Sequence, residues 1–266
     1  MQTPSEQTLS AQPNADLALC RATIYTALAL GFRPPTQETI DRLVRSEGVD
    51  ALADAARMLE GIGGAAAGLS IGAAALARPE ANLATLTTDH GRLFGHTALG
   101  EAPAYETEYG SEALFQQPQE MGDLAGFLRA FGLTVRPEVH ERVDHVSCEC
   151  EFLSFLAFKE AYAIGKGDQE MLAATSHATT LFLRDHLARF APAFERRLAK
   201  ADADGFYSAL GRLLIAMVSF DCQRLGVPAG PEHLSLRPDP AAYAAPMGCG
   251  NETETEGGGC GGVCPS

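Results

Sequence analysis

From Asp16 to Leu225 the apolar residues recur at helical spacing, and no convincing stretch of strand-like alternation interrupts them. Leu17, Cys20, Ile24 and Leu28 mark a first helix that ends at Gly31 and the Pro34-Pro35 break. Thr36 can cap a second helix through about Arg45, a third follows from Val49 to Glu60, and another is expected from about Ala73 to Leu86. A loop rich in Gly and Pro spans His90 to Ala104. Helical patterns resume at Gln119–Phe131, Glu138–Ala163, Asp168–Arg189 and Asp204–Leu225. Ala and Leu dominate the apolar half of the chain and lose little side-chain freedom in a helix. The expectation is an all-α, single-domain helical bundle of about eight to ten helices, a count resting on typical helix lengths.

The bundle is assigned to residues 15–230, between a polar N-terminus (1–14) expected to be disordered and an irregular C-terminal segment (231–266). That segment ends in the low-complexity run GCGNETETEGGGCGGVCPS. The N-terminus lacks a basic region followed by an apolar core, so cytoplasm is the expected compartment. Gly61 to Ala77 carries no charge, but it is slightly short to span a bilayer and rich in Gly and Ala. A small-residue packed helix pair or a loop is expected there, with no stable membrane insertion. With 34 carboxylates against 20 Lys and Arg, the formal charge of −14 repels phosphate backbones, which argues against nucleic acid as a partner. It suits a basic peptide. There is no GxSxG elbow, phosphate loop or Rossmann glycine fingerprint; Gly165-Lys166-Gly167 is too short for a phosphate loop, and no enzyme is expected.

Two segments carry candidate chemistry. In Pro103-Ala-Tyr-Glu-Thr-Glu-Tyr-Gly110 a helical turn would place Tyr105 and Tyr109 on one face while Glu106 and Glu108 point elsewhere; two ring faces beside carboxylates could hold an arginine or an apolar side chain. The plainer alternative is that both tyrosines cap the core and the glutamates are solvated. In the helix expected from Glu138, Val143, Val146, Cys150, Leu153 and Ala157 form the core stripe. The opposite side begins with Glu141, Asp144, His145 and Cys148 and continues as Phe152 and Phe155. His145 would then stand one turn from both Glu141 and Glu149, able to be held protonated or oriented by either. The plainer alternative is a solvated acidic first turn.

Seven cysteines cannot all pair. Cys20, Cys150 and Cys222 fall on apolar stripes and read as buried thiols. No cofactor is firmly implied. Cys249, Cys260 and Cys264 could hold a soft metal with a fourth ligand from elsewhere, which keeps a metal-binding or metal-delivery accessory role as the alternative function. Their spacing matches no standard zinc or ferredoxin module.

PAYETEYG, EMGDLAGFLRAFGL, ERVDHVSCECEFLSFLAFKEA and FLRDHLARFAPAF, in this order, resemble the TorD/DmsD/NarJ family of molybdoenzyme chaperones. The stretch HTALGEAPAYETEYG looks closest to the branch serving type II enzymes of the dimethyl sulfoxide reductase superfamily. The resemblance implies a TorD-like all-helical fold, monomeric or dimeric. It also implies a role in binding the apo catalytic subunit, often through its N-terminal leader, while molybdenum cofactor is inserted. The family's Asp-His peptide-binding pair falls on Asp144-His145. Val143 stands where the family usually has Pro, and Cys150 where it usually has Leu. The leader site implied by motif and residues together is Tyr105, Glu106, Tyr109, Glu141, Asp144 and His145.

Overall fold

The computed structural model describes residues 14–62, 68–95, 100–110, 116–135 and 141–237. Among them the chain forms ten α-helices and no strand, in agreement with the all-α expectation. The helices are α1 (Ala15–Phe32), α2 (Gln37–Thr39, running into a π-helical turn at Ile40–Val44), α3 (Ser46–Glu60), α4 (Leu69–Ala74) and α5 (Leu83–Phe94). After a 3₁₀ turn at Glu106–Glu108 come α6 (Gln116–Ala130), α7 (Val146–Lys166), α8 (Gln169–Asp185), α9 (Leu187–Ala201) and α10 (Phe206–Leu225).

The longest helix, α7, packs extensively against α1 and also against α8, and α10 packs against α9, α4, α1 and α8. By length and composition α1 could cross a membrane, but most of it is buried inside the bundle. Its start is set locally, where the Asn14 side chain accepts a hydrogen bond from the Asp16 amide at 2.8 Å. Its buried Arg21 bonds Glu160 of α7 at 2.5 Å and lies 3.4 Å from Asp221 of α10. The Tyr25 hydroxyl donates to Asp221 at 3.0 Å. Each buried charge is matched across three helices, which fixes their register as well as their contact.

Phe32, Phe94, Phe190, Phe194, Tyr109 and Tyr207 meet at one end of the bundle in tilted and edge-on pairs 5.1–6.5 Å apart. A second cluster of Phe127, Phe131, Phe152, Phe155 and Phe182 joins α6 to α7 and α8. The uncharged Gly61–Ala77 stretch contributes α4, packed on α3 and α10. A Cβ added to Gly72 would stand 3.1 Å from the Leu213 Cα, so glycine permits the close approach of α4 to α10.

Several expected boundaries moved. The helix expected at Ala73–Leu86 is divided: α4 ends at Ala74, the residues around Pro79 are not helical, and Asn82 caps the next helix, accepting from the Thr85 amide at 3.1 Å. Helix α5 therefore occupies the first part of the expected loop. The helix expected to run through Arg189 stops at Asp185. His186 leaves helical geometry (φ −126°, ψ −104°), and α9 begins as a separate element that periodicity did not separate. The N-terminal stretch 1–13 and the cysteines at 249, 260 and 264 lie outside the described residues.

Candidate functional site

The segment 141–145 is not helical. Helix α7 starts at Val146, with His145 extended (φ −74°, ψ 136°) as its N-cap. The His145 Nδ1 accepts from the Ser147 amide at 3.2 Å and sits 2.7 Å from the Ser147 hydroxyl. The expected face-sharing of Glu141, His145 and Glu149 is therefore corrected, since the first two residues precede the helix. Satisfying Asp144 from another loop, rather than in a first helical turn, is the physical reason. Thr107 donates its hydroxyl to Asp144 at 2.7 Å, and Arg142 donates Nε and Nη2 at 3.0 and 2.7 Å.

The helical turn expected at 103–110 is likewise a 3₁₀ turn flanked by extended residues, so Tyr105 and Tyr109 diverge. Tyr109 is buried, and its hydroxyl donates to the Pro103 carbonyl at 2.8 Å. Tyr105 is partly exposed; it donates to the Glu141 carboxylate at 2.9 Å and carries the Arg142 guanidinium 4.6 Å over its ring. The two loops join through a bridge between Tyr105 and His145, with the Glu106 amide donating to the Asp144 carbonyl at 2.9 Å.

Glu106, expected to point away, is fully buried. It accepts from Arg189 Nη2 at 2.6 Å, with His186 Nδ1 at 3.0 Å, and Arg189 also donates to Glu120 at 3.0 Å. Arg237 completes the chain with two bonds to Glu120 at 3.0 and 3.1 Å. Sequence alone assigns no role to Thr107, Glu120, Arg142, Arg189 or Arg237, and His186, in Arg184-Asp-His, reads there as a packing or capping residue. All but Arg237 lie inside the four family-like motifs, yet their pairing is not legible in them, because partners 69 to 117 residues apart share no local spacing. Glu149 is buried nearby with neither carboxylate oxygen hydrogen-bonded. Burial, reinforced by the charges of Glu106 and Asp144, holds its acid well above the ordinary carboxylate range.

Of the six expected leader-site residues, only Tyr105 and Glu141 are partly exposed. Glu106, Tyr109, Asp144 and His145 are buried beneath them as a frame. Glu141 stands on the rim of a cleft of about 430 Å³. Leu128, Leu133, Val135, Phe152 and Phe155 supply apolar wall, and Arg33 and Glu151, ion-paired with each other, complete the rim. Cys148 lies in the cleft as a free thiol. Burial and the Glu141 and Glu151 charges push it up to about 12, so it remains protonated at neutral pH. Cys20, Cys150 and Cys222 are buried free thiols. Among the described residues no group of three or more His, Cys, Asp or Glu could hold a metal ion.

Burial, followed by the charges of His90, Arg33 and Arg142, lowers His145 from 6.5 to about 3, so it is neutral rather than held as an imidazolium. The unfolded chain takes up a proton below its ordinary value while the folded chain refuses it. This contribution is therefore complete above about pH 6.5 and is lost as pH falls toward 3. At pH 5 the loss amounts to about 2 kcal/mol. His145→Asn keeps a capping acceptor and removes the titration, so urea unfolding of the variant should show that much less destabilisation between pH 7 and pH 5. Equal pH dependence in both proteins would refute a neutral cap.

The described residues thus form a helical bundle with one apolar cleft edged by Glu141, Glu151 and Arg33. Comparison with known proteins gives the family. The model of the family described as nitrate reductase delta subunit matches residues 49–196. The curated protein "Chaperone protein TorD" of Salmonella schwarzengrund is 32% identical over 202 residues, covering 75% of this chain and 89% of that protein. Its counterparts in Photobacterium profundum and Vibrio cholerae are 28% and 32% identical over 136 and 138 residues. Those two alignments cover 51% of this chain and span 62% and 60% of the relatives' length. The chain belongs to the family described as nitrate reductase delta subunit, the TorD/NarJ family.

Proposed function

We infer that this protein is a system-specific cytoplasmic chaperone for the apo catalytic subunit of a molybdoenzyme of the type II dimethyl sulfoxide reductase family. It binds the subunit's N-terminal leader and holds it for molybdenum-cofactor insertion before assembly or export. The cleft beside Glu141 is the observation that carries this reading. Its rim carboxylates can pair with arginines at the basic end of a leader, while its walls accept apolar side chains. At about 430 Å³ it has room for a few side chains rather than a whole segment. Phe158 and Tyr162, 50% and 58% exposed, follow Phe155 along the outer face of α7 and extend the apolar surface beyond the cleft. Tyr105 and Arg142 hold Glu141 and its loop in place from the other side.

Calorimetry with a synthetic peptide of two adjacent arginines followed by a leucine-rich run tests the reading. Glu141→Lys and Phe155→Ala should each weaken binding about tenfold, the loss of one charge-assisted contact or one buried ring. Unchanged affinity in both variants would remove the cleft as the leader site.

A further inference from the structure

A second cleft, of about 310 Å³, lies between α9 and residues 232–235 and is basic in a chain whose net charge is −14. Its lining includes Arg196, Arg197, Lys200 and His233, with Glu232 as the one carboxylate. Among the described residues neither Arg197 nor Lys200 has an ion-pair partner, and Arg196 rests against the His233 ring. The cleft is built by the strap at residues 230–237. Pro192 has no amide hydrogen for the Ala188 carbonyl one turn before it, and the Gly230 amide donates to that carbonyl instead, at 2.8 Å. A Cβ on Gly230 would fall 2.1 Å from the Arg189 carbonyl oxygen, so only glycine enters so closely. At its other end the strap is pinned by Ser235 accepting from Gly110 at 2.9 Å, Arg237 donating to Glu108 at 2.8 Å, and the paired bonds from Arg237 to Glu120. Glu232 to Ser235 are thereby held over the cations.

We propose that this cleft is the docking site of the chain's own acidic run Glu252-Thr-Glu-Thr-Glu256, which latches the C-terminal tail to the body. Charge complementarity is the first argument: three cations of α9 face a segment with three carboxylates. Spacing is the second. Arg196 and Lys200 are one turn apart, about 6 Å along the axis. In an extended chain Glu252, Glu254 and Glu256 project to one side about 6.6 Å apart. Position is the third. The chain leaves the strap at Arg237 beside the cleft, and the fifteen residues to Glu252 can span up to roughly 50 Å, so the run arrives at an effective concentration in the millimolar range. Docking carries Cys260 and Cys264, four and eight residues past Glu256, to the α9 surface.

The test uses full-length protein and ¹⁵N relaxation of residues 252–256. Their heteronuclear NOE should approach that of the helices at low salt. It should fall to that of a free chain in about 0.5 M salt, where the screening length shrinks to about 4 Å. The triple charge reversal Arg196→Glu, Arg197→Glu and Lys200→Glu should abolish the ordering. So should Glu252→Lys with Glu254→Lys and Glu256→Lys, and combining the two sets should restore it. A peptide of sequence NETETEG should bind the Glu252→Gln, Glu254→Gln, Glu256→Gln protein, which leaves the folded body untouched, about tenfold more tightly than the wild type, whose own tail competes. Inorganic pyrophosphate should show the same preference. A tail as mobile in the wild type as in the reversed variants, or equal affinity of either probe for both proteins, overturns the latch.

Discussion

Glu106→Ala should lower stability by about 3–5 kcal/mol, the cost of removing one partner from a buried ion pair. Glu106 is fully buried and accepts from both Arg189 and His186 at 2.6 and 3.0 Å. Its loss leaves a buried imidazole without its acceptor and a partly buried guanidinium with Glu120 alone. The effect also spreads along the chain of contacts, because Glu120 is shared with Arg237 and so with the strap. Glu106→Gln preserves shape and one acceptor, and should cost about 1–2 kcal/mol. Urea midpoints at constant slope provide the measurement. Combining Glu106→Ala with Arg189→Ala should cost less than the sum of the two, because the second removal relieves the charge stranded by the first. A Glu106→Ala penalty below about 1 kcal/mol would show that water enters and resolvates the network.

Asp144→Ala should act more on binding than on folding. Asp144 is buried, but its cationic partner Arg142 is 42% exposed at the side chain and can return to water. The stability cost should therefore be about 2–3 kcal/mol, mostly the unpaired Thr107 hydroxyl and amide. The same change removes the Asp144 side-chain ties between the 105–109 and 141–145 loops, leaving their backbone bonds and the Tyr105–Glu141 contact, and so loosens the position of Tyr105 and Glu141. Affinity for the diarginine leader peptide should drop more than tenfold, measured where the variant is fully folded, and adding His145→Ala should deepen the loss. If the peptide binds the double variant as tightly as the wild type, this frame does not hold the client site. Circular dichroism on the calorimetry samples separates that outcome from simple unfolding.

Much of this architecture is legible in the residues. Apolar spacing locates most helices, and Asp168 and the Pro34-Pro35 break mark ends by chemistry that acts within a few residues, whereas Asn14, read as part of a disordered N-terminus, caps α1. The burial of Cys20, Cys150 and Cys222 follows from the same stripes. The reading failed where a residue's partner is distant. Helical continuity across 138–163 was a fair inference from pattern, yet Asp144 finds Thr107 and His145 turns outward from helical geometry to cap α7. The separation of α8 from α9 is invisible to periodicity, since both sides of His186 keep a helical stripe.

The sequence by itself determined an all-α bundle, an acidic surface and membership in a chaperone family, because periodicity, composition and motif order are properties of a linear string. It also singled out Asp144-His145 and Tyr105 as the residues around which a site would form. Tertiary structure alone decided which of them face solvent. Glu106, Tyr109, Asp144 and His145 became a buried frame, and Tyr105 and Glu141 its exposed edge. The physical reason is that a buried polar group must be satisfied, and its partner is whichever donor or acceptor the packed helices bring within about 3 Å. That proximity of Glu106 to Arg189, or of Gly230 to Ala188, exists only once α7, α9 and the connecting loops are assembled.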